Sequence, residues 1–174
     1  TYLEHYWLGQ LYTIMGEYVD VQHYGQAVEH LEEAGSINGE RQHIPFLLAK
    51  TYLLMGEKES GVRVLEDLVE KNNSYVEPQW YLGLALMDVG RETEAFTYLE
   101  KGFSYGATKD ENILYMIDIY AKKERYEDVA RLYEQLVRRN PTNAQWHAGA
   151  AATYAELGQI DNMVKHIQVA IHLD

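Results

Sequence analysis

The sequence predicts an all-α fold, a solenoid of five antiparallel helix hairpins with about ten helices. Three observations carry that prediction. Tyr12, Tyr52, Leu86, Tyr120 and Tyr154 fall 40, 34, 34 and 34 residues apart, a period of the size that stacked helical repeats use. The residue four places beyond each is Gly16, Gly56, Gly90, Glu124 and Gly158, so a glycine stands at most of the expected helix ends. The stretch Trp80–Gly90, followed by Ala95, Phe96 and Leu99, shows one whole unit: an apolar helix, a glycine stop, a short turn and a second helix.

The elements follow in order from this pattern. A first helix is expected over Tyr2–Met15, with Leu3, Tyr6, Trp7, Leu8, Leu11 and Ile14 apolar on nearly all sides, and Gly16 is expected to end it. Gly16 to Ala27 spans 11 residues, whereas Gly56 to Gly61, Gly90 to Ala95 and Gly158 to Met163 each span 5. The first interval is therefore a 34-residue repeat with six residues inserted around Glu17–His23, which a loop tolerates because closure entropy grows slowly with length. The second helix is expected over Tyr24–Ala34. After a break at Gly39 come Arg41–Met55 and Lys58–Lys71, with Pro45 near the start of the first, where a missing N–H is tolerated. Glu77–Val89 and Glu92–Ser104 form the third pair, Asp110–Lys123 and Tyr126–Arg138 the fourth, and Thr142–Leu157 and Ile160–Leu173 the fifth. Arg138 and Arg139 suit a helix C-terminus, and Asn140-Pro141 stops that helix. The repeats fall at about 2–38, 41–74, 76–108, 109–141 and 142–174, with connections of the length that joins antiparallel helices. One domain is expected.

Charge and composition narrow the function. The net charge is −12, from 27 acidic and 15 basic residues, and residues 1–40 hold seven acidic residues and no Lys or Arg. Such a chain repels phosphate backbones and anionic membrane surfaces, so no nucleic-acid ligand is expected. No apolar run is long enough to span a bilayer, so no direct membrane insertion is expected. The absence of cysteine removes disulfides, thiolate chemistry and Cys-based zinc sites and assigns no compartment. The chain starts at Thr1 rather than Met and stops at Asp174 inside its last repeat, which reads as a piece of a larger protein.

The residues at repeating positions resemble the tetratricopeptide repeat (TPR). Leu8-Gly9, Leu48-Ala49, Leu82-Gly83, Met116-Ile117 and Ala150-Ala151 fill its Leu-small pair; Ala27, Gly61, Ala95, Val129 and Met163 fill the first small site of the second helix. Leu31, Leu65, Leu99, Tyr133 and Ile167 fill the large site, and Ala34, Leu68, Gly102, Leu136 and Ala170 the last small one. Small residues let two helices approach and large ones fill the gap between layers. The fourth repeat departs most: Ile117, Val129 and Leu136 replace small residues, so its helices are expected to stand further apart. The resemblance implies a right-handed TPR-like α-solenoid, protein or peptide partners, and a concave surface lined by the first helix of each pair.

Carried over position by position, that surface includes Tyr6 and Gln10; His43, Phe46, Lys50 and Leu53; Glu77, Trp80, Leu84 and Met87; and Leu114, Asp118 and Lys122. Its middle is apolar and aromatic and its border mostly acidic, which suits a peptide or helix groove. Trp80 and Phe46 are the expected anchors, because large aromatic side chains dominate binding hot spots. The Lys, Asn and Arg set with which some family members hold a C-terminal carboxylate is missing, so a chaperone-tail clamp is not expected.

Catalytic chemistry finds no constellation. Seven histidines are present, but none forms a His-Glu-x-x-His motif. There is no phosphate loop and no Gly-x-Ser-x-Gly elbow. The acidic pairs Glu32-Glu33 and Asp110-Glu111 read as solvated helix faces. Asn72-Asn73-Ser74 matches the N-glycosylation pattern. The expectation is a protein-binding scaffold, not an enzyme, with no cofactor and no metal. The alternative is a soluble regulatory or assembly domain of a larger enzyme, such as the repeat regions of bacterial membrane glycan polymerases or ligases. Self-association through the uncapped last helix, whose outer side carries Met163, Val164, Ile167, Ile171 and Leu173, is a further expectation.

Overall fold

The computed structural model describes residues 1–38 and 41–173. Among them there are ten α-helices and no strand: α1 (Tyr2–Tyr18), α2 (His23–Ile37), α3 (His43–Met55), α4 (Lys58–Lys71), α5 (Val76–Asp88), α6 (Glu92–Gly106), α7 (Asp110–Lys122), α8 (Tyr126–Arg139), α9 (Ala144–Glu156) and α10 (Ile160–Leu173). They pair into the TPR-like hairpins that the repeat predicts. The break expected at Gly39 and the end at Asp174 lie outside the described residues. By contacts the chain divides into two compact units, Thr1–Tyr105 and Gly106–Asp174.

Each helix stop has a local cause. Gly56, Gly90 and Gly158 take left-handed φ values of 85°, 79° and 67°. That turn lets the next amide reach back over five residues: Glu57 N–H donates to Tyr52 O, Arg91 N–H to Leu86 O and Gln159 N–H to Tyr154 O, each at 2.9 Å. Glu124 performs the same turn with φ 55°, and Arg125 N–H donates to Tyr120 O at 2.9 Å. A side chain in that region is strained where glycine is not. The polar links recur as well. Asn72 Oδ1 accepts from Ser74 N–H and Oγ at 3.2 and 2.8 Å, and Asn140 Oδ1 accepts from Thr142 N–H and Oγ1 at 3.2 and 2.9 Å. The glycosylation-like triplet is thus, in structural terms, an Asx turn between hairpins.

The expected end at Gly16 is corrected. Helix α1 runs on to Tyr18, and Asp20 N–H makes the closing bond to Met15 O at 3.0 Å. Gly16 lies inside the helix, buried under the Tyr24 ring, where a Cβ would fall 2.5 Å from Tyr24 Cδ1. It is a close-approach glycine, and part of the inserted segment extends the helix. The connection that remains is short, 19–22.

In the first unit Phe46, Ala49, Leu65, Leu68, Leu82, Leu86 and Ala95 form one continuous core. Leu31, Leu65 and Leu99, equivalent in the repeat, are fully buried. In the second unit Ile113, Met116, Leu132, Leu136 and Ala150 are buried. Ile117 occupies the small site of the fourth hairpin, and Tyr133 stands against Gly149 of α9.

Two substitutions test these constraints. Gly102→Ala would set a Cβ against the backbone N and Cα of Trp80 and should destabilise the chain by about 2 kcal/mol or more. Glu124→Gly relieves the left-handed strain and should stabilise by about 1 kcal/mol. Urea midpoints at constant m-value measure both.

Candidate protein-binding cleft

Side chains from the first helices of three consecutive hairpins of the first unit surround an open cleft of about 480 Å³. Helix α1 supplies Gln10, Ile14 and Glu17; α3 supplies Leu47, Lys50 and Leu54; α5 supplies Tyr81, while Thr13 and Leu53 also line it. These spacings of three and four place each set on one helical face. On the floor two buried hydroxyls meet, Thr13 Oγ1 and Thr51 Oγ1 at 2.9 Å, one donating to the other while the other donates to the carbonyl four residues back. Ile14 and Leu54 remain 49% and 46% exposed, so the aliphatic wall is open.

Among the described residues Lys50 is the only basic one lining the cleft. Its Nζ lies 5.6 Å from the Phe46 ring centroid and 5.2 Å from that of Tyr81. Those two rings meet edge to face at 5.4 Å. Among the described residues Lys50 has no carboxylate partner within 4 Å, while Lys58 pairs with Asp88 and Arg91 with Glu66 and Glu94. The aromatic row continues through Phe46 to Tyr75 at 6.1 Å and through Tyr81 to Tyr105 at 6.2 Å. Burial, followed by a hydrogen bond to Glu77, raises the Tyr105 phenol well above its ordinary value. Tyr6 meets His43 edge to face at 4.7 Å. Burial, with the Arg41 charge second, lowers the His43 imidazole below its ordinary value, so it presents a neutral ring at pH 7.

Of the residues that sequence assigned to the groove, Gln10, Lys50 and Leu53 line this cleft. Tyr6, His43, Glu77, Leu84 and Met87 are half-buried in the same unit, Met87 packing on the core. Trp80 and Phe46 are corrected as exposed anchors: they are 2% and 8% exposed. Trp80 turns toward α6, its ring centroid 6.3 Å from that of Phe103 and its backbone against Gly102. Phe46 acts from below, as one of the rings under Lys50. In the second unit Leu114, Asp118 and Lys122 lie exposed on α7, with Lys122 Nζ 2.5 Å from Asp118 Oδ2. Sequence reading missed Ile14, Leu47, Leu54 and Tyr81. Their signal was an aliphatic or aromatic residue one place beyond, or one turn beyond, each assigned position.

A second open apolar surface lies on the last hairpin. Ala148, Ala151, Ala152 and Ala155 of α9 and Met163, Ile167, Ala170 and Ile171 of α10 line a shallow groove of about 450 Å³. Ile167 and Ile171 are 39% and 72% exposed, whereas Leu31, Leu65 and Leu99, the equivalents of Ile167, are covered. Among the described residues no group of three His, Asp or Glu side chains could hold a metal ion, and no helix is long and apolar enough to cross a membrane.

Helix hairpins repeating every 34 residues, closed by left-handed turns and open on the side of their first helices, define a tetratricopeptide-repeat protein. The chain belongs to the family of the Psidin N-terminal TPR repeats region, which matches residues 51–173. It is similar to the rat (Rattus norvegicus) N-alpha-acetyltransferase 25, NatB auxiliary subunit, at 25% identity over 112 residues, and to the human protein of the same name at 24%. Each alignment takes in 64% of this chain and 12% of the relative's length. Among solved structures, a P212121 crystal form of MamA from AMB-1 gives a TM-score of 0.68 at 17% identity, covering 99% of this chain and 92% of that one. MamA residues 41 to the end from Desulfovibrio magneticus RS-1 give 0.61 at 13% identity, covering 95% and 94%. At these identities the likeness is one of fold.

Trp80→Ala should act on folding. Removing a fully buried indole should cost about 3–5 kcal/mol of stability, read as a lowered denaturation midpoint.

Proposed function

We propose that this chain is a non-catalytic scaffold that holds a segment of a partner protein in the cleft between α1, α3 and α5. Its TPR fold supports protein partners in general. Lys50 supports the particular site: a cation held on two ring faces, without a carboxylate partner, at the centre of an aliphatic cleft in a chain of net charge −12. A segment that sets an Asp or Glu beside a Leu, Ile or Val would meet both needs. Its carboxylate would take the Lys50 ammonium in a charge-assisted hydrogen bond, and its aliphatic side chain would rest on Ile14, Leu47 and Leu54. Glu17 at the edge of the cleft would turn away a second acidic residue and orient the segment.

A second reading rests on the sequence match to NatB auxiliary subunits. In it the chain is a repeat arm of a larger assembly factor, and the open face of α9 and α10 is a contact surface within that assembly.

Selection of a displayed peptide library on the full chain tests the cleft. Enriched peptides should pair an acidic with an aliphatic residue. Lys50→Glu and Leu54→Asp should each weaken them by about tenfold or more, equivalent to about 1.4 kcal/mol, with helix content unchanged. Peptides that bind both variants as tightly as the parent would exclude this cleft as the site.

A further inference from the structure

Two repeats carry a pair of histidines that face each other across the hairpin. His5 of α1 meets His30 of α2 with their Nδ1 atoms 3.2 Å apart, and His147 of α9 meets His166 of α10 with Nδ1 atoms 3.0 Å apart. In the 34-residue register these are the same two positions in the first and last repeats. Each second histidine is stacked by the same tyrosine position: Tyr12 on His30 at 5.5 Å and Tyr154 on His166 at 5.6 Å. The inner repeats have Pro45 and Val64, Gln79 and Tyr98, and Ile113 and Leu132 there.

Counting hydrogens separates the two pairs. A neutral imidazole carries one N–H. His147 Nε2 lies 3.0 Å from the Pro141 carbonyl oxygen, which only accepts, so this nitrogen must donate. His166 Nε2 lies 2.9 Å from Glu134 Oε1, a contact that also needs a hydrogen. The contact between the two Nδ1 atoms needs one more. Three hydrogens are required, and two neutral rings supply two. The third is held either as an imidazolium beside the Glu134 carboxylate, or as a Glu134 O–H donating to His166. In the first repeat the described residues place no acceptor at either Nε2, so two neutral rings satisfy the His5–His30 contact.

We propose that the His147–His166–Glu134 triad of the folded chain holds one proton beyond two neutral rings and a carboxylate, and that this proton is a pH-dependent latch between α9 and α10. His147 and His166 are 6% and 3% exposed, so water cannot replace a missing hydrogen, and two facing lone pairs would be left buried. The titratable groups around the pair are few. Helix α8 presents Glu134 and, against Gly149, Tyr133. Helix α9 presents Tyr154, whose hydroxyl donates to Glu134 Oε1 at 3.0 Å. On α10 the adjacent Lys165 is exposed. Burial raises both phenols above their ordinary value, and for Tyr154 the Glu134 carboxylate adds to it, so Tyr154 stays a donor.

The sign of the pH dependence follows from the count. Unfolded, the two imidazoles titrate at about 6.5 and together hold one proton at that pH. Below it the unfolded chain binds more protons than the triad, and stability rises with pH. Above it the folded triad binds more, and stability falls. The hold on α10 therefore peaks near pH 6.5 and weakens on the alkaline side.

Amide hydrogen exchange on the full chain between pH 5.5 and 9, corrected for intrinsic rates, tests this. Protection of α10 should peak near pH 6.5 and fall above it, approaching tenfold per pH unit for one proton. Imidazole ¹⁵N spectra and the Glu134 carboxyl ¹³C shift at pH 8 should together show three hydrogens shared by His147, His166 and Glu134. Glu134→Gln, which keeps an acceptor and removes the charge, should flatten the alkaline fall; Glu32→Gln, the register equivalent of Glu134 but bonded to Tyr52 of a hairpin without a histidine pair, should leave it. Level α10 protection from pH 6.5 to 8.5, one N–H on each ring beside an ionised Glu134 at pH 8, or an unchanged alkaline fall in folded Glu134→Gln would each overturn the proposal.

Discussion

The structure depends on how closely two helices of a hairpin can approach, and that is set by one small residue facing one large one. Gly9 admits Leu31, and Gly83 admits Leu99; a Cβ at either glycine would fall 2.6 Å from the leucine Cγ. In the second hairpin Gly61 admits Leu53 in the same way, at 2.7 Å. With that approach made, Leu31 and Leu99 are fully buried and Leu53 is half-buried. Where the small residue is lost, as at Ile117, the large partner has to go elsewhere. Tyr133 goes to Gly149, in the following hairpin. The fourth repeat thus keeps its place in the array by lending its large side chain forward.

The same packing decides which faces stay open. On α5 the buried row includes Trp80, Leu82, Ala85 and Leu86, and Tyr81 is left at the cleft. On α3 the buried row includes Ile44, Phe46, Ala49 and Thr51, and Leu47, Lys50 and Leu54 face outward. The cleft is therefore the remainder of the packing, the face that no neighbouring helix needs. Its character follows: aliphatic because the inner helices are apolar on most sides, and with one cation because α3 places a lysine between two rings.

Much of this was legible in the sequence, and the parts that were not share a cause. The period, the pairing and the bounds of α4 and α10 follow from turn chemistry and apolar spacing alone, because those signals are local. Gly16 misled because a glycine that ends a helix and one that lies under a neighbouring ring look the same in one dimension; only Tyr24 in place tells them apart. Trp80 misled for a related reason. A step of one residue turns a side chain by about 100° around a helix of 3.6 residues per turn, so a family register places the strip but not its edge. The histidine pairs were visible as four of seven scattered histidines, and their meaning waited on the register that brings positions 5 and 147, and 30 and 166, into equivalence.

One bond between hairpins bears on how such a chain can change length. Tyr52 donates to Glu32 at 3.0 Å, and Tyr154 donates to Glu134 at 3.0 Å, each across 20 residues. The two bonds stand 102 residues apart in sequence, three whole repeats. The glutamate recurs at Glu66 and Glu100 and the tyrosine at Tyr120, so a gene that lost or doubled a block of 34 codons would still bring a glutamate opposite a tyrosine at a new junction, except ahead of the third repeat, where Leu86 takes the tyrosine's place. Recombination between repeats is then nearly silent for the joint itself, and what it alters is the number of faces the protein offers.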